Sequence, residues 1–198
     1  MNFFVIRILG KYFTSDQWAN FIVKETADFG RKMFEDSHFQ RLAKIDGANI
    51  DESNRVFNET QVTGLVYAML FVEQERKYLK EDRADFWQKV ATKIPQSFYI
   101  WLRELNLDSE CVDTWNKLIH LRLDEYQEGI VEMKKIYERQ APDNIRKDVK
   151  EFFYCLDAVA LGAALHISEG KMMPNDPLRK HMLTWLGSLQ LDLIKKIR

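Results

Sequence analysis

The stretch "VDTWNKLIHLRLDEYQEGIVEMKKIY", residues 112 to 137, decides the fold. Its apolar and aromatic residues Val112, Trp115, Ile119, Tyr126, Ile130, Met133 and Tyr137 recur at intervals of three, four, seven, four, three and four. That is the period of one helical face, and alternation of the kind a strand requires is absent. With its flanks the pattern predicts one helix of roughly 31 residues. Between Ile119 and Tyr126 the stripe carries Arg122 where an apolar residue is expected. A cation on a core-facing stripe needs a buried acid opposite it.

The next helix is expected over residues 143–169, with Gly170 as its C-cap and "QAPDN" as the break before it. Ile145, Val149, Phe152, Leu156, Val159, Ala163 and Ile167 form its main face. The other side begins as Lys147, Lys150 and Glu151, then becomes Tyr154, Ala158, Leu161 and Leu165. A half-exposed helix thus turns apolar all round, which predicts central burial or a subunit interface. Gly162 costs about 1 kcal/mol against alanine at mid-helix, and close approach of another helix explains it. Asp157 has Phe153, Tyr154, Ala160 and Leu161 three and four residues away, so no local cation pairs with it. Arg122, or another inward-facing cation or hydroxyl, is the expected partner. His166 falls in the last turn, where the helix dipole favours imidazolium and a capping or interface role.

Elsewhere the same reasoning gives a helical series. "TSDQW" at 14–18 has capping-box spacing and opens a helix running to about residue 45. "KIDGANIDESN" reads as a loop, and a second helix opens near Asn58. That helix leads into the charge-interleaved "EQERKYLKEDRADFWQKVATKI". Pro95 is expected to start a short aromatic helix, "PQSFYIWLREL". Asp176 and Pro177 in "NDPL" cap a final helix that continues to the end. "FFVIRIL" near the start is rich in strand formers. No partner strand stands out elsewhere, so a short helix is expected there.

The fold expected is all-α: one multi-helix bundle of about seven helices, the last three long, in a single domain over residues 1–198. The loop at 46–57 is its only seam.

Composition bounds the function. Over 198 residues, 46% apolar and 30% charged content excludes disorder, and the net charge of −1 argues against bulk binding to nucleic acid. A helix-turn-helix reading of residues 42–56 also fails, because its recognition segment would carry Asp51 and Glu52 with only Arg55. Cys111 and Cys155 show no metal-ligand spacing, which suits a reducing compartment. The apolar run at the start is broken by Arg7 and no small-residue cleavage site follows. No run approaches the ~20 apolar residues of a membrane span. The chain therefore reads as cytoplasmic.

Catalytic chemistry finds no constellation. Glu35–His38 is one Glu-x-x-His unit, but residues three before His120, His166 and His181 are Lys117, Ala163 and Leu178. A carboxylate-bridged metal pair therefore lacks its second half. Cys155 and His166 share one side of a helix, yet eleven residues separate them by roughly 16 Å. Phosphate loops and nucleophile elbows are absent, and no cofactor or metal is implied. Aromatic residues are abundant, with thirteen Phe, seven Tyr and five Trp. "FYIW" at 98–101 exceeds what one helix can bury against one neighbour, so it is central, or Trp101 or Tyr99 lines a cleft.

Two functional readings follow. The first is a non-catalytic interaction module that acts through helical surfaces, self-associating as a homodimer or binding a protein partner. The second is a sensor-type domain with an aromatic-lined pocket for a small apolar ligand. The candidate binding residues are Trp101, Trp115, Arg122, Asp157 and His166.

Overall fold

The computed structural model describes residues 5–8, 11–140, 145–171 and 175–197. The expected all-α bundle is what forms. Seven α-helices are described: α1 (Ser15–Glu35), α2 (Ser37–Leu42), α3 (Ile50–Glu75), α4 (Glu81–Glu104), α5 (Ser109–Gln140), α6 (Lys147–Ile167) and α7 (Pro177–Ile197). A 3₁₀ turn at Arg76–Tyr78 joins α3 to α4.

The N-terminal segment corrects the expectation of a helix. Val5–Ile8 (β1) pairs antiparallel with Lys11–Thr14 (β2), in a register that sets Val5 opposite Thr14 and Ile8 opposite Lys11. The missing partner strand follows immediately in sequence, as a hairpin allows. Thr14 then ends β2 and caps α1, its side chain accepting from the Gln17 amide while Gln17 reaches back to the Thr14 amide.

Three helix boundaries also move. The helix expected to reach residue 45 stops at Glu35, because Asp36 is extended and its carboxylate accepts from His38 N–H to start α2. Helix α3 begins at Ile50 rather than near Asn58: Asn49 caps it by accepting from Glu52 N–H at 2.9 Å, with Asp51 and Glu52 in the first turn. Pro95 lies inside α4 instead of opening a new helix. Phe86, Trp87, Val90, Ile94, Phe98 and Leu102 bury one face on both sides of it. Burial of that many large side chains exceeds the ~3 kcal/mol cost of an internal proline.

The helix read from residues 112–137 is 32 residues long. Its first half, through Val112, Trp115, Ile119 and Tyr126, is buried. After Tyr126 the stripe is only half-buried, at Ile130, Met133 and Tyr137. The segment after Gln140 and the expected helix start at residue 143 lie outside the described residues. Helix α6 ends at Ile167, two residues earlier than expected, with Ser168 rather than Gly170 as its C-cap; Gly170, at φ +74°, follows the end and its N–H donates to Leu165 C=O at 2.8 Å. Asp176 accepts from Leu178 N–H at 2.8 Å, with Pro177 at the first position of α7.

Most of the apolar girdle of α6 is covered within the chain, while Leu161 and Leu165 are half-buried and Phe153 is exposed. Ala158, Val159, Ala160, Ala163, Ala164 and Ile167 are all buried, and α6 packs against α3, α5 and α7. Close packing is what Gly162 supplies. A Cβ there would lie 2.6 Å from Cε1 of Tyr126, a ring only 1% exposed. Gly187, in α7, has nothing within 4 Å of the same position.

These two glycines make a paired prediction. Gly162→Ala gains about 1 kcal/mol of helix propensity but overpacks a core contact at a cost of about 1–3 kcal/mol, so it destabilises the fold. Gly187→Ala gains the propensity alone. Urea unfolding midpoints should fall for the first and rise for the second.

Candidate functional site

Helices α1, α3, α4 and α5 leave a cleft of about 630 Å³ between them. Its aromatic wall comes from α4 and α5. Trp101 is half-buried and Trp115 is buried, and both line the cleft. Phe98 stands between them, with ring centroids 5.5 Å from Trp101 and 5.6 Å from Trp115. The crowded "FYIW" segment thus divides its work: Phe98 goes to the core, Trp101 to the cleft, and Tyr99 stacks beneath the Arg103 guanidinium at 4.5 Å. Cys111, at the start of α5, also faces the cleft.

The opposite wall is polar. Asn54, Asn58 and Gln61 line it at intervals of four and three, one stripe of α3. Elsewhere α3 is among the most buried helices of the fold, from Glu59 through Val72. Asn54 is exposed and Asn58 half-buried, whereas Gln61 is buried and its amide needs partners. Gln61 finds them on α1, where its amide, in the orientation that satisfies both ends, donates to Ala27 C=O at 3.2 Å and accepts from Arg31 N–H at 3.0 Å. Gly30 makes this approach feasible, since a Cβ there would lie 2.9 Å from the end of the Gln61 side-chain amide. Asn54 and Asn58 have no side-chain hydrogen bond among the described residues.

Helix α1 contributes Lys24, Asp28 and Arg31 to the rim. Hydrogen bonds from Lys32 and Arg31 hold the Asp28 carboxyl below its usual range. Arg31 also pairs with Glu35 at 2.8 Å. Lys24 has no ion pair among the described residues.

The other predicted residues lie elsewhere. Arg122 does not meet Asp157. Its guanidinium grips Glu59 of α3, with Nε–Oε2 at 2.9 Å and Nη2–Oε1 at 2.5 Å, and donates to Glu125 at 2.7 Å. Arg122 and Glu59 are 8% and 6% exposed, a bidentate pair taken almost wholly from water. Burial works against the Arg122 charge, yet the hydrogen bonds it donates to Glu59 and then to Glu125 hold its pKa above the ordinary value. Beside it the Tyr126 hydroxyl shares a hydrogen bond with Thr63 at 3.1 Å, and burial pushes its pKa far up.

His166 joins the same cluster through Glu125, Nε2 to Oε2 at 2.9 Å. Its carbonyl and that of Ile167 accept from Arg55 at 2.7 and 2.8 Å, closing the end of α6. The capping role expected at this turn is thus performed by Arg55.

Asp157 meets a cation and a hydroxyl of the kind expected, on different residues: Arg179 Nη2 at 2.5 Å and the Tyr137 hydroxyl at 3.3 Å. This pair ties α6 to α7 and α5. Of the five predicted residues, the structure brings Trp101 and Trp115 into one cleft, links Arg122 to His166 through Glu125, and sets Asp157 apart. Lys24, Asn54 and Asn58 were missed. The four-and-three spacing of Asn54, Asn58 and Gln61 was the available signal.

The cleft offers flat aromatic surface, two amides with no hydrogen-bond partner among the described residues, a lysine with no ion pair among them, and the free thiol of Cys111. Among the described residues no group of three or more His, Cys, Asp or Glu could hold a metal ion, and no helix is long and apolar enough to cross a membrane. No protein family, curated protein or solved structure matches the chain.

The Arg122–Glu59 pair carries a stability prediction. Glu59→Leu leaves a buried guanidinium with Glu125 alone and should cost about 3–5 kcal/mol. Glu59→Leu combined with Arg122→Met removes both charges and should recover at least about 2 kcal/mol of that loss in urea unfolding. Additive single effects would show that the pair is not coupled.

Proposed function

We propose that this protein is a non-catalytic small-molecule-binding domain whose site is the cleft between α1, α3, α4 and α5. One observation carries the reading: an aromatic wall of Trp101 and Trp115 faces a stripe of amides, two of which have no partner among the described residues. Ligand sites combine apolar walls with a few polar groups that fix orientation, and a cleft of this volume suits a small organic molecule.

The self-association reading receives less support. Most of the girdle of α6 that motivated it is used in packing against α3, α5 and α7. The exposed apolar residues of α5, Leu121, Val131 and Ile136, fall on one side of that helix at 100° per residue, but they are single side chains set five and ten residues apart rather than a continuous stripe.

Magnitudes assign roles to the two walls. A ligand body hiding about 200 Å² of apolar surface on the tryptophans gains about 5 kcal/mol. Association costs at least about 4 kcal/mol in lost freedom, so apolar contact alone leaves weak binding. Affinity and selectivity then rest on the amides and the rim.

N-phenyl-1-naphthylamine, a neutral fluorescent probe, tests the reading. It should bind saturably, one per chain, and slow maleimide labelling of Cys111. Cys155 is a silent internal control, because it is buried and its pKa is pushed up to about 12 by burial. Near neutral pH the folded chain should therefore label at one thiol, and the unfolded chain at two. Asn58→Trp fills the cleft from its half-exposed side and should weaken the probe at least about tenfold with an unchanged unfolding midpoint. Non-saturable binding, or affinity and Cys111 labelling indifferent to Asn58→Trp, would reject the site.

A further inference from the structure

The charges around the cleft specify more than an apolar guest. Its lining holds two cations, Lys24 and Arg31, and one carboxylate, Asp28. Asp28 is neutralised twice over, by Arg31 at 2.7 Å and by Lys32 at 2.7 Å. Arg31 is likewise spent, held between Asp28 and Glu35. The neighbouring acid Glu25 belongs to Lys196, at 2.8 Å. Lys24 is therefore the charge left over, with no acid paired to it among the described residues.

The other end of the cleft has the opposite character. It continues past Asn58, Cys111 and Trp115 into a shallow depression bordered by Asp108 and Glu110. Asp108 is committed to capping α5 through Cys111 N–H at 2.7 Å. The binding surface is thus cationic at the α1 end, acidic at the start of α5, and aromatic between them. An anion is favoured at one end and repelled from the other, so the same charges that select it also orient it.

We infer that the ligand is an organic anion with an apolar body and a single carboxylate or similar acidic head. The inference rests on the cleft being the binding site. The head lies toward Lys24, which supplies a charge-assisted hydrogen bond. The body lies against Trp101 and Trp115. Asn58 lines the cleft beside Trp115, at the end away from Lys24, and its amide, with two N–H donors and a carbonyl, can hydrogen-bond polar atoms that the guest carries on its body. An aliphatic acid and an aromatic acid share this chemistry.

Two charge-matched pairs separate head from body: decanoate with decanol, and 1-naphthaleneacetate with 1-naphthaleneacetamide. Each is titrated by calorimetry into the full chain, and Cys111 protection reports the location. The expected result is that at least one acid binds about tenfold tighter than its neutral partner, and that this margin disappears in Lys24→Gln. The pair that shows the margin identifies the body as aliphatic or aromatic. Lys24→Gln sits on an exposed position of α1, so its unfolding midpoint should match the parent and any loss of margin is a loss of charge recognition.

Neutral partners that bind as well as the acids, with Cys111 protected, would overturn the anion while leaving the cleft as the site. Decylamine binding more tightly than decanoate would overturn it in the same way and would move the head to the Asp108 end. If no compound binds in a manner weakened by Asn58→Trp, the cleft reading itself is refuted, and the anion with it.

Discussion

The Tyr126 ring holds the bundle at its crossing point. The side chain leaves α5, sets the Cδ1–Cε1 edge of its ring against the space that Gly162 opens on α6, and ends in a hydroxyl shared with Thr63 of α3. Three helices are fixed by one residue. A larger residue at 162 drives α6 off α5, and a smaller one at 126 leaves Thr63 without that partner inside the core. The Arg122–Glu59 pair sits one turn away and repeats the α5–α3 link in charged form. Because that pair is nearly dry, its contribution is geometric specificity more than net stability: the charges tolerate only one register of α5 against α3.

Fixing α5 on α3 at this level determines what happens nearer the start of α5. Gln61 sets the spacing of α3 from α1 by reaching the backbone at Gly30. Trp115 and Trp101 come from helices packed on other sides of the core. The space that remains between these supports is the cleft. Its walls are faces of α1, α3, α4 and α5, with Leu105 and Leu107 of the α4–α5 connection beside them.

Periodicity made the fold legible. The 112–137 stripe and the Asp176–Pro177 start lie where spacing and cap chemistry place them, and α6 stops within two residues of the expected position, because these signals are local. Pro95 and the hairpin were read less well for a shared reason: each depends on a contact that outweighs propensity. The site was half-legible. Trp101 and Trp115 could be seen as excess aromatics, whereas Asn54 was hidden by a misplaced helix start. Once Asn49 is recognised as the cap, residues 54, 58 and 61 fall on one face. Without that cap, Asn54 is merely a loop residue. The partners of Asp157 and Arg122 could not be chosen from sequence, because several acids and cations satisfy the same chemistry and only packing decides among them. Arg179 and Glu59 are the ones the helices bring near.

The guanidinium that closes α6 belongs to Arg55, on the first turns of α3, 111 residues before the carbonyl of His166. Asn54, its immediate neighbour, is part of the cleft's amide wall. The opening turns of α3 are thus anchored by a part of the chain made much later. A nascent chain that has emerged only through α4 has the residues of this wall but not the contact that secures its end. Loop-closure entropy makes such a distant contact slow to form. The start of the α3 wall is therefore secured only by contacts from the last third of the sequence.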